Sequence, residues 1–308
     1  MENWMRTKLN PTREQLKNRP QEPQVIFEPG FFSPEEAQGV LADLLSELRF
    51  EPDPVSIQGA IVHSKRQSDY RGDPGAQYAY SGVDRDPKPW TPTLLRVKER
   101  LESALAGRAD VRPSADPQAP AQRAAAASFN AVLCNYYEDG GAGMGWHADK
   151  EPDLGSQPLI ASLSFGAARP FKFRVKKHLR RPGVEADEKV WEWMLNPGDL
   201  LLMQGDTQVW FEHHLPPRAA VKTARINLTF RKVVLSAQKV DDLLAGEAWR
   251  QSQAEGGASG PANAARSNDA KSAAGANASA NTASPGAKPV GRFMPQLGKA
   301  AKGTGADR

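Results

Sequence analysis

From Phe129 to Val234 the chain is cut into short apolar runs by helix-hostile pairs and triplets. These are Arg169-Pro170, Pro182-Gly183, Asn196-Pro197-Gly198, Gly205-Asp206 and Pro216-Pro217. Runs of this length suit strands rather than helices. Strands are predicted at Phe129–Tyr137, Leu159–Phe165, Phe171–Lys177, Lys189–Leu195, Asp199–Met203, Thr207–Glu212 and Arg225–Val234. Upstream, the pattern is helical. Ser33-Pro34-Glu35-Glu36 is a capping box with proline at the first helical position, which predicts a helix to about Leu48. Thr91-Pro92 repeats the start signal. Leu94, Val97, Leu101, Ala104 and Leu105 then share one face, and Gly107 ends the helix. Helices followed by many short strands predict an α+β fold, mainly β, with helices packed on a sandwich or barrel. No internal repeat is present.

The ends differ from this middle. Residues 1–24 are polar, with prolines at 11, 20 and 23, and read as an extended arm. From 251 to 308 the chain turns to Ala, Gly, Ser and Asn and is expected to be disordered, because it has too few large apolar residues to offset chain entropy. Its one apolar island is RFMPQLG, Arg292 to Gly298. Residues 25–250 are left as the folded domain. The net charge of +4 belongs to the tail, which holds seven Lys/Arg against three Asp/Glu. Residues 1–250 carry 33 of each sign. Global charge therefore does not argue for a nucleic-acid partner, and local patches must. No run of eighteen apolar residues predicts a membrane span, and the first twenty residues lack the apolar core of a secretory signal. The single cysteine, Cys134, lies in the apolar run FNAVLCNYY and reads as a packing residue. It excludes an intramolecular disulfide and suits a reducing compartment, cytoplasmic or, in a eukaryote, nuclear.

The chemistry centres on GWHADKEPDLG, Gly145 to Gly155. Residues i and i+2 of an extended segment point the same way, so His147 and Asp149 can aim at one point. A third ligand is available in WFEHHLPP, at His213 or His214. Two histidines and a carboxylate suit the facial triad of non-haem Fe(II), and the same set can hold Zn²⁺ in a hydrolase. The run Arg225-Ile226-Asn227-Leu228-Thr229-Phe230-Arg231 alternates strictly. Its polar face suits an anionic ligand if it turns inward and is an ordinary solvated face if it turns outward.

Taken together, HxD at 147–149, His213 followed by Leu215-Pro216, and RINLTFR resemble the AlkB-like Fe(II)/2-oxoglutarate dioxygenases. Asn135-Tyr136-Tyr137, the run Leu159–Ala167, Tyr78-Ala79-Tyr80-Ser81-Gly82 and Pro87-Lys88-Pro89-Trp90 add to the likeness, which spans about residues 25–235. The resemblance implies a double-stranded β-helix (jelly-roll) core. It makes His147, Asp149 and His213 the iron ligands, His213 rather than His214 matching the family's H-x-L-P. Asn135, Tyr137, Arg225, Asn227 and Arg231 become 2-oxoglutarate contacts, one arginine on the distal carboxylate and the other nearer iron. Fe(II), 2-oxoglutarate and O2 are implied as cofactor and cosubstrates.

The implied reaction removes N-methyl groups from 1-methyladenine and 3-methylcytosine in DNA, with RNA as a further acceptor, and releases formaldehyde. Glu151 would favour the cationic base, and Tyr78 and Tyr80 would offer stacking surfaces. The same tyrosines would also serve as core residues. Lys150 stands where relatives often carry an acid. Lys172, Arg174 and Lys176, extended by Lys177, Arg180 and Arg181, form either a phosphate-tracking ridge or a solvated strand face. The chain is expected to act as a monomer away from membranes. The alternatives are a dedicated RNA or nucleotide demethylase and, in another class, a nucleic-acid-binding module with a relic metal site.

Overall fold

The computed structural model describes residues 11–57, 60–80, 83–112, 128–155 and 157–234, without the side chains of 13–14, 53–63, 78–80, 83–84 and 152. All of these belong to the unit Met1–Gly257, and the second unit, Ala258–Arg308, lies outside them. The expected disordered tail, with its apolar island, is therefore outside the described residues.

The helices begin where their caps direct. In α2 (Pro34–Glu47) the Ser33 hydroxyl accepts from the Glu36 N–H at 3.2 Å, and the Glu36 carboxylate accepts from the Ser33 N–H at 2.8 Å. This reciprocal pair stabilises the first turn by about 1 kcal/mol. The helix α3 (Pro92–Leu105) starts after Thr91 and buries Leu94, Val97, Leu101 and Leu105. Ala104, expected on that face, is exposed, because it lies on the rim of the buried stripe. A short helix α1 (Arg13–Lys17) stands within the stretch read as an extended arm.

Two sheets face one another. The larger has the order β1-β11-β8-β13-β6-β3-β2 and the smaller β10-β9-β12-β7, all antiparallel. Their strands are β1 (Val25–Glu28), β2 (Glu51–Ile57), β3 (Ala60–Gly72), β6 (Ala131–Tyr137), β7 (Met144–His147), β8 (Ile160–Gly166), β9 (Arg169–Val175), β10 (Val190–Leu195), β11 (Leu200–Met203), β12 (Phe211–Leu215) and β13 (Arg225–Arg231). A separate ribbon pairs β4 (Tyr78–Tyr80) with β5 (Val83–Arg85). This is the expected jelly-roll arrangement.

The alternation of β13 decides what each face meets. Ile226, Leu228 and Phe230 join Val132, Cys134, Ala161 and Leu163 in a core that the apolar faces of α2 and α3 cover. The opposite face turns toward the smaller sheet. There Ile160, Leu201, Met203, Phe173, Val175, Trp191 and Phe211 form a second core. Cys134 is fully buried, and that burial pushes its thiol well up, as a packing residue requires.

Four expectations are corrected. The strand predicted at Thr207–Glu212 begins as a helical turn, α4 (Thr207–Trp210), and only then becomes β12. Its β-branched and aromatic content misled the reading. Tertiary burial of all four residues lets the Val209 and Trp210 N–H groups close onto the Asp206 carbonyl. Arg169-Pro170, read as a turn, opens β9, and Arg169 is fully buried, donating to the carbonyls of Asp139, Ala142 and Pro216. Strands β1, β2, β3, β5 and β7 were not anticipated. The basic ridge is also dissolved. Lys172 pairs with Glu192 at 2.8 Å, Arg174 with Glu212 at 2.6 Å, and Lys176 is buried with Nζ donating to the Gln208 carbonyl at 2.7 Å.

The Pro87-Lys88-Pro89-Trp90 stretch is a strap on β3. Lys88 exchanges backbone hydrogen bonds with Tyr70 and Gly72, and its Nζ lies 3.2 Å from Asp69. Trp90 stacks on Phe230 at 6.3 Å and donates to Asp73. No helix among the described residues is long and apolar enough to cross a membrane.

Candidate active site

The end of β7 and the middle of β12 lie side by side, with His147 opposite His213. Two residues past His147 the chain leaves the strand, and the Asp149 N–H is caught by the side-chain carbonyl of Gln208 at 2.9 Å. The α4 turn that sequence patterning missed thus fixes the backbone from which Asp149 projects. His147, Asp149 and His213 can offer ligand atoms that all lie within 4.8 Å of one another. The Asp149 Oδ1 is 3.8 Å from Nε2 of each histidine.

The donor set fits a divalent cation on several counts. The Nδ1–H of His147 donates to the Gly145 carbonyl at 2.8 Å, which leaves Nε2 its lone pair. Burial lowers the pKa of both imidazoles, so they are neutral, as ligands must be. Burial works against ionisation of Asp149, yet the charge and hydrogen bonds of the Arg231 guanidinium hold its carboxyl below the ordinary value. Its oxygens divide the work. Oδ2 accepts from Arg231 at 2.6 and 3.0 Å, whereas Oδ1 is buried with no hydrogen-bond partner. A buried anionic oxygen without a donor, set between two neutral imidazole nitrogens, is the arrangement a metal completes. His214 is on the other face of β12, tilted against Trp146 at 4.8 Å. Of the two candidates, the fold brings His213 to the cluster.

One cavity is lined by the cluster and by Asn135, Tyr137, Arg225, Asn227 and Arg231, so all eight expected metal and cosubstrate residues share it. The polar face of RINLTFR turns inward. At its far end Arg225 is 2% exposed, with Nη2 donating to Ser164 at 2.9 Å and its guanidinium 5.4 Å above the Tyr137 ring. No carboxylate pairs with it among the described residues, and its Nε has no hydrogen-bond partner. Burial draws its pKa down to about 10, with Tyr137 opposing. Keeping a cation there unpaired is unfavourable unless an anion arrives to meet it.

Two of these side chains are engaged by neighbours in the wall. Arg231 engages the metal carboxylate, as the arginine nearer the cluster. The Asn227 amide is committed within the wall: Nδ2 donates to Ser162 and to the Leu163 carbonyl, and Oδ1 accepts from Thr229. Ser162 and Ser164 were missed as site residues, although their period-two spacing in LIASLSFGA is a readable signal. Gln208 and Arg66 carried no such signal. Of the expected substrate contacts, Glu151 is half-buried just beyond the cluster and does not line the cavity. Tyr78 and Tyr80 fall on β4, and their side chains lie outside the described residues.

Comparison with known proteins agrees with this geometry. A family profile described as the 2OG-Fe(II) oxygenase superfamily matches residues 24–231. The chain is 32% identical over 210 residues to alpha-ketoglutarate-dependent dioxygenase alkB homolog 3 of Mus musculus, covering 68% of this chain and 66% of that protein. It is 37% identical over 172 residues to DNA oxidative demethylase ALKBH2 of Homo sapiens, covering 56% and 58%. The chain therefore spans just under two thirds of the first of these relatives. A profile match over most of the chain, on a jelly roll that gathers two histidines and an aspartate beside a buried arginine, places it: the chain belongs to the 2OG-Fe(II) oxygenase superfamily.

Proposed function

We propose that the chain is an Fe(II)/2-oxoglutarate-dependent dioxygenase that removes N-alkyl groups from nucleic-acid bases, with 1-methyladenine and 3-methylcytosine in DNA as its substrates and RNA as a further acceptor. The observation that carries the cosubstrate is Arg225, a fully buried guanidinium without a carboxylate partner among the described residues, on the same cavity as the His-Asp-His cluster. The nucleic-acid part rests on the resemblance to alkB homolog 3 and to ALKBH2, the latter named a DNA oxidative demethylase.

His147, Asp149 and His213 would hold the metal, and Arg225 would pair with the distal carboxylate of 2-oxoglutarate. When bound, iron and 2-oxoglutarate supply the oxidation of an N-methyl group by O2, with succinate and CO2 as co-products and formaldehyde lost from the base. The protein's own share is positioning and exclusion of water. Leu133, Met144, Phe171 and Leu215 make the apolar part of the wall, which strengthens each charge contact inside. Arg231 keeps the Asp149 carboxylate ionised, and the Gln208 side chain holds the Asp149 backbone N–H in place. The methylated base must leave its stack to reach this cavity. Glu151 and the tyrosines of β4 are the residues proposed to meet it.

The test is a panel of DNA and RNA oligonucleotides carrying 1-methyladenine or 3-methylcytosine, single- and double-stranded, with Fe(II) and 2-oxoglutarate. Base mass and succinate are followed by mass spectrometry. Demethylation of RNA alone would favour a dedicated RNA demethylase. Binding without succinate would favour a relic metal site.

A further inference from the structure

We propose that Arg66 is a positioning residue for the cosubstrate: it locks the side-chain amide of Asn135 so that Nδ2, not Oδ1, faces the cavity. The inference rests on the reading of that cavity as a 2-oxoglutarate site. In the large sheet β3 sets Ser68 opposite Asn135. Arg66 precedes Ser68 by two residues and so lies on the same side of the strand. It is 2% exposed, and its Nη1 donates to Oδ1 of Asn135. A guanidinium has donors only, whereas a carboxamide has one acceptor end and one donor end. Only the oxygen of Asn135 can face Arg66, so the planar amide must turn its NH₂ elsewhere. Among the described residues no other group hydrogen-bonds this amide, and Asn135 is part of the cavity wall. The second wall asparagine has no such donor to offer, since the Nδ2 of Asn227 is held by Ser162 and Leu163.

The lock matters because the cavity also presents Arg225 and Arg231. The terminal torsion of an asparagine is broad, and an unrestrained amide would turn its oxygen toward those guanidinium groups. It would then set a partial negative charge against an incoming dianion. With Arg66 in place, the amide meets the anion with N–H.

The test is calorimetric titration of 2-oxoglutarate into the full-length chain loaded with Mn(II), which reads binding without turnover. Arg66→Met is expected to weaken binding about tenfold, the scale of one charge-assisted hydrogen bond. Arg66→Lys, which keeps a donor-only group, is expected to recover most of the loss. In an Asn135→Ala background Arg66→Met should add nothing, because the amide it acts through is gone. Mn(II) affinity, measured separately, should not change. If Arg66→Met does not fold, Arg66→Gln takes its place in the same cycle. Wild-type affinity in the Arg66 variant overturns the proposal. So does an equal loss with and without Asn135, since Arg66 would then act on the ligand directly. A wild-type chain that binds no 2-oxoglutarate at all overturns the functional reading beneath it instead.

Discussion

Arg225 is a fully buried guanidinium on the cavity, and the proposed partner for its charge is the carboxylate of 2-oxoglutarate. Among the described residues it meets the Ser164 hydroxyl and the Tyr137 side chain but no carboxylate. Replacing such a group by an apolar side chain of similar length is often neutral or stabilising. Arg225→Met should therefore keep or raise the thermal midpoint while weakening 2-oxoglutarate binding by roughly 2–5 kcal/mol. A large loss of stability with unchanged affinity would show that Arg225 is a structural residue. The paired histidines make a sharper contrast. His213→Ala should abolish metal binding, because it empties one corner of the cluster. His214→Ala removes only a ring resting on Trp146 and should leave metal affinity within about twofold. Equilibrium dialysis with Mn(II) separates the two, and the reverse result would discard the ligand assignment.

At the scale of elements, the site depends on how β8 enters β13. Gly166 sits opposite Arg225 with φ +84°, and a Cβ there would run into the Ala224 carbonyl. Gly166→Ala should cost about 2–4 kcal/mol from left-handed strain and clash. It should also weaken 2-oxoglutarate binding, since the strand that relieves the clash carries Arg225. Stability equal to wild type by denaturant unfolding would show the turn to be slack. A second element is fastened by Asp187, 1% exposed, which accepts from Arg181 and from Arg19 of the N-terminal stretch. The Arg181 hydrogen bond outweighs burial and holds its carboxyl well below the ordinary value near 4. A depressed carboxylate stabilises fully above the ordinary value and loses that contribution as pH falls through and below it. Asp187→Asn should thus destabilise by about 1–3 kcal/mol at pH 7, and that deficit should shrink steadily as pH falls from about 4 to 2. A difference constant down to pH 2 would refute the charge-based account.

For the whole molecule, charge is segregated. The surplus of four positive charges lies in residues 251–308, while residues 1–250 are balanced. The ridge expected on β9 is neutralised by Glu192 and Glu212, so it offers little to phosphates. If long nucleic acids gain from a cationic tether, the tail must supply it. A chain ending at residue 250 should bind long duplex DNA less than tenfold more weakly, most at low salt, and act unchanged on the shortest methylated substrate. An identical salt slope for both chains would eliminate the tether.

The sequence by itself determined the two capped helices, most strands of the sandwich, and the His147–Asp149 pair of the cluster, because each rests on local chemistry. Caps are read within four residues, HxD within three, and the alternation of RINLTFR within seven. Only the tertiary structure decided between inward and outward faces. The polar side of β13 could have met water, and it is buried because the helices take the other side and the smaller sheet packs over this one. Packing likewise turned Thr207–Trp210 into the helical turn that aims Asp149, buried Arg169 and Lys176, and chose His213 over His214. Alternation says which residues share a face but not which partner covers it. That depends on contacts between segments far apart in the chain, such as Arg66 with Asn135 across β3 and β6, 69 residues apart, or Asp149 with Gln208, 59 apart, which no local pattern encodes.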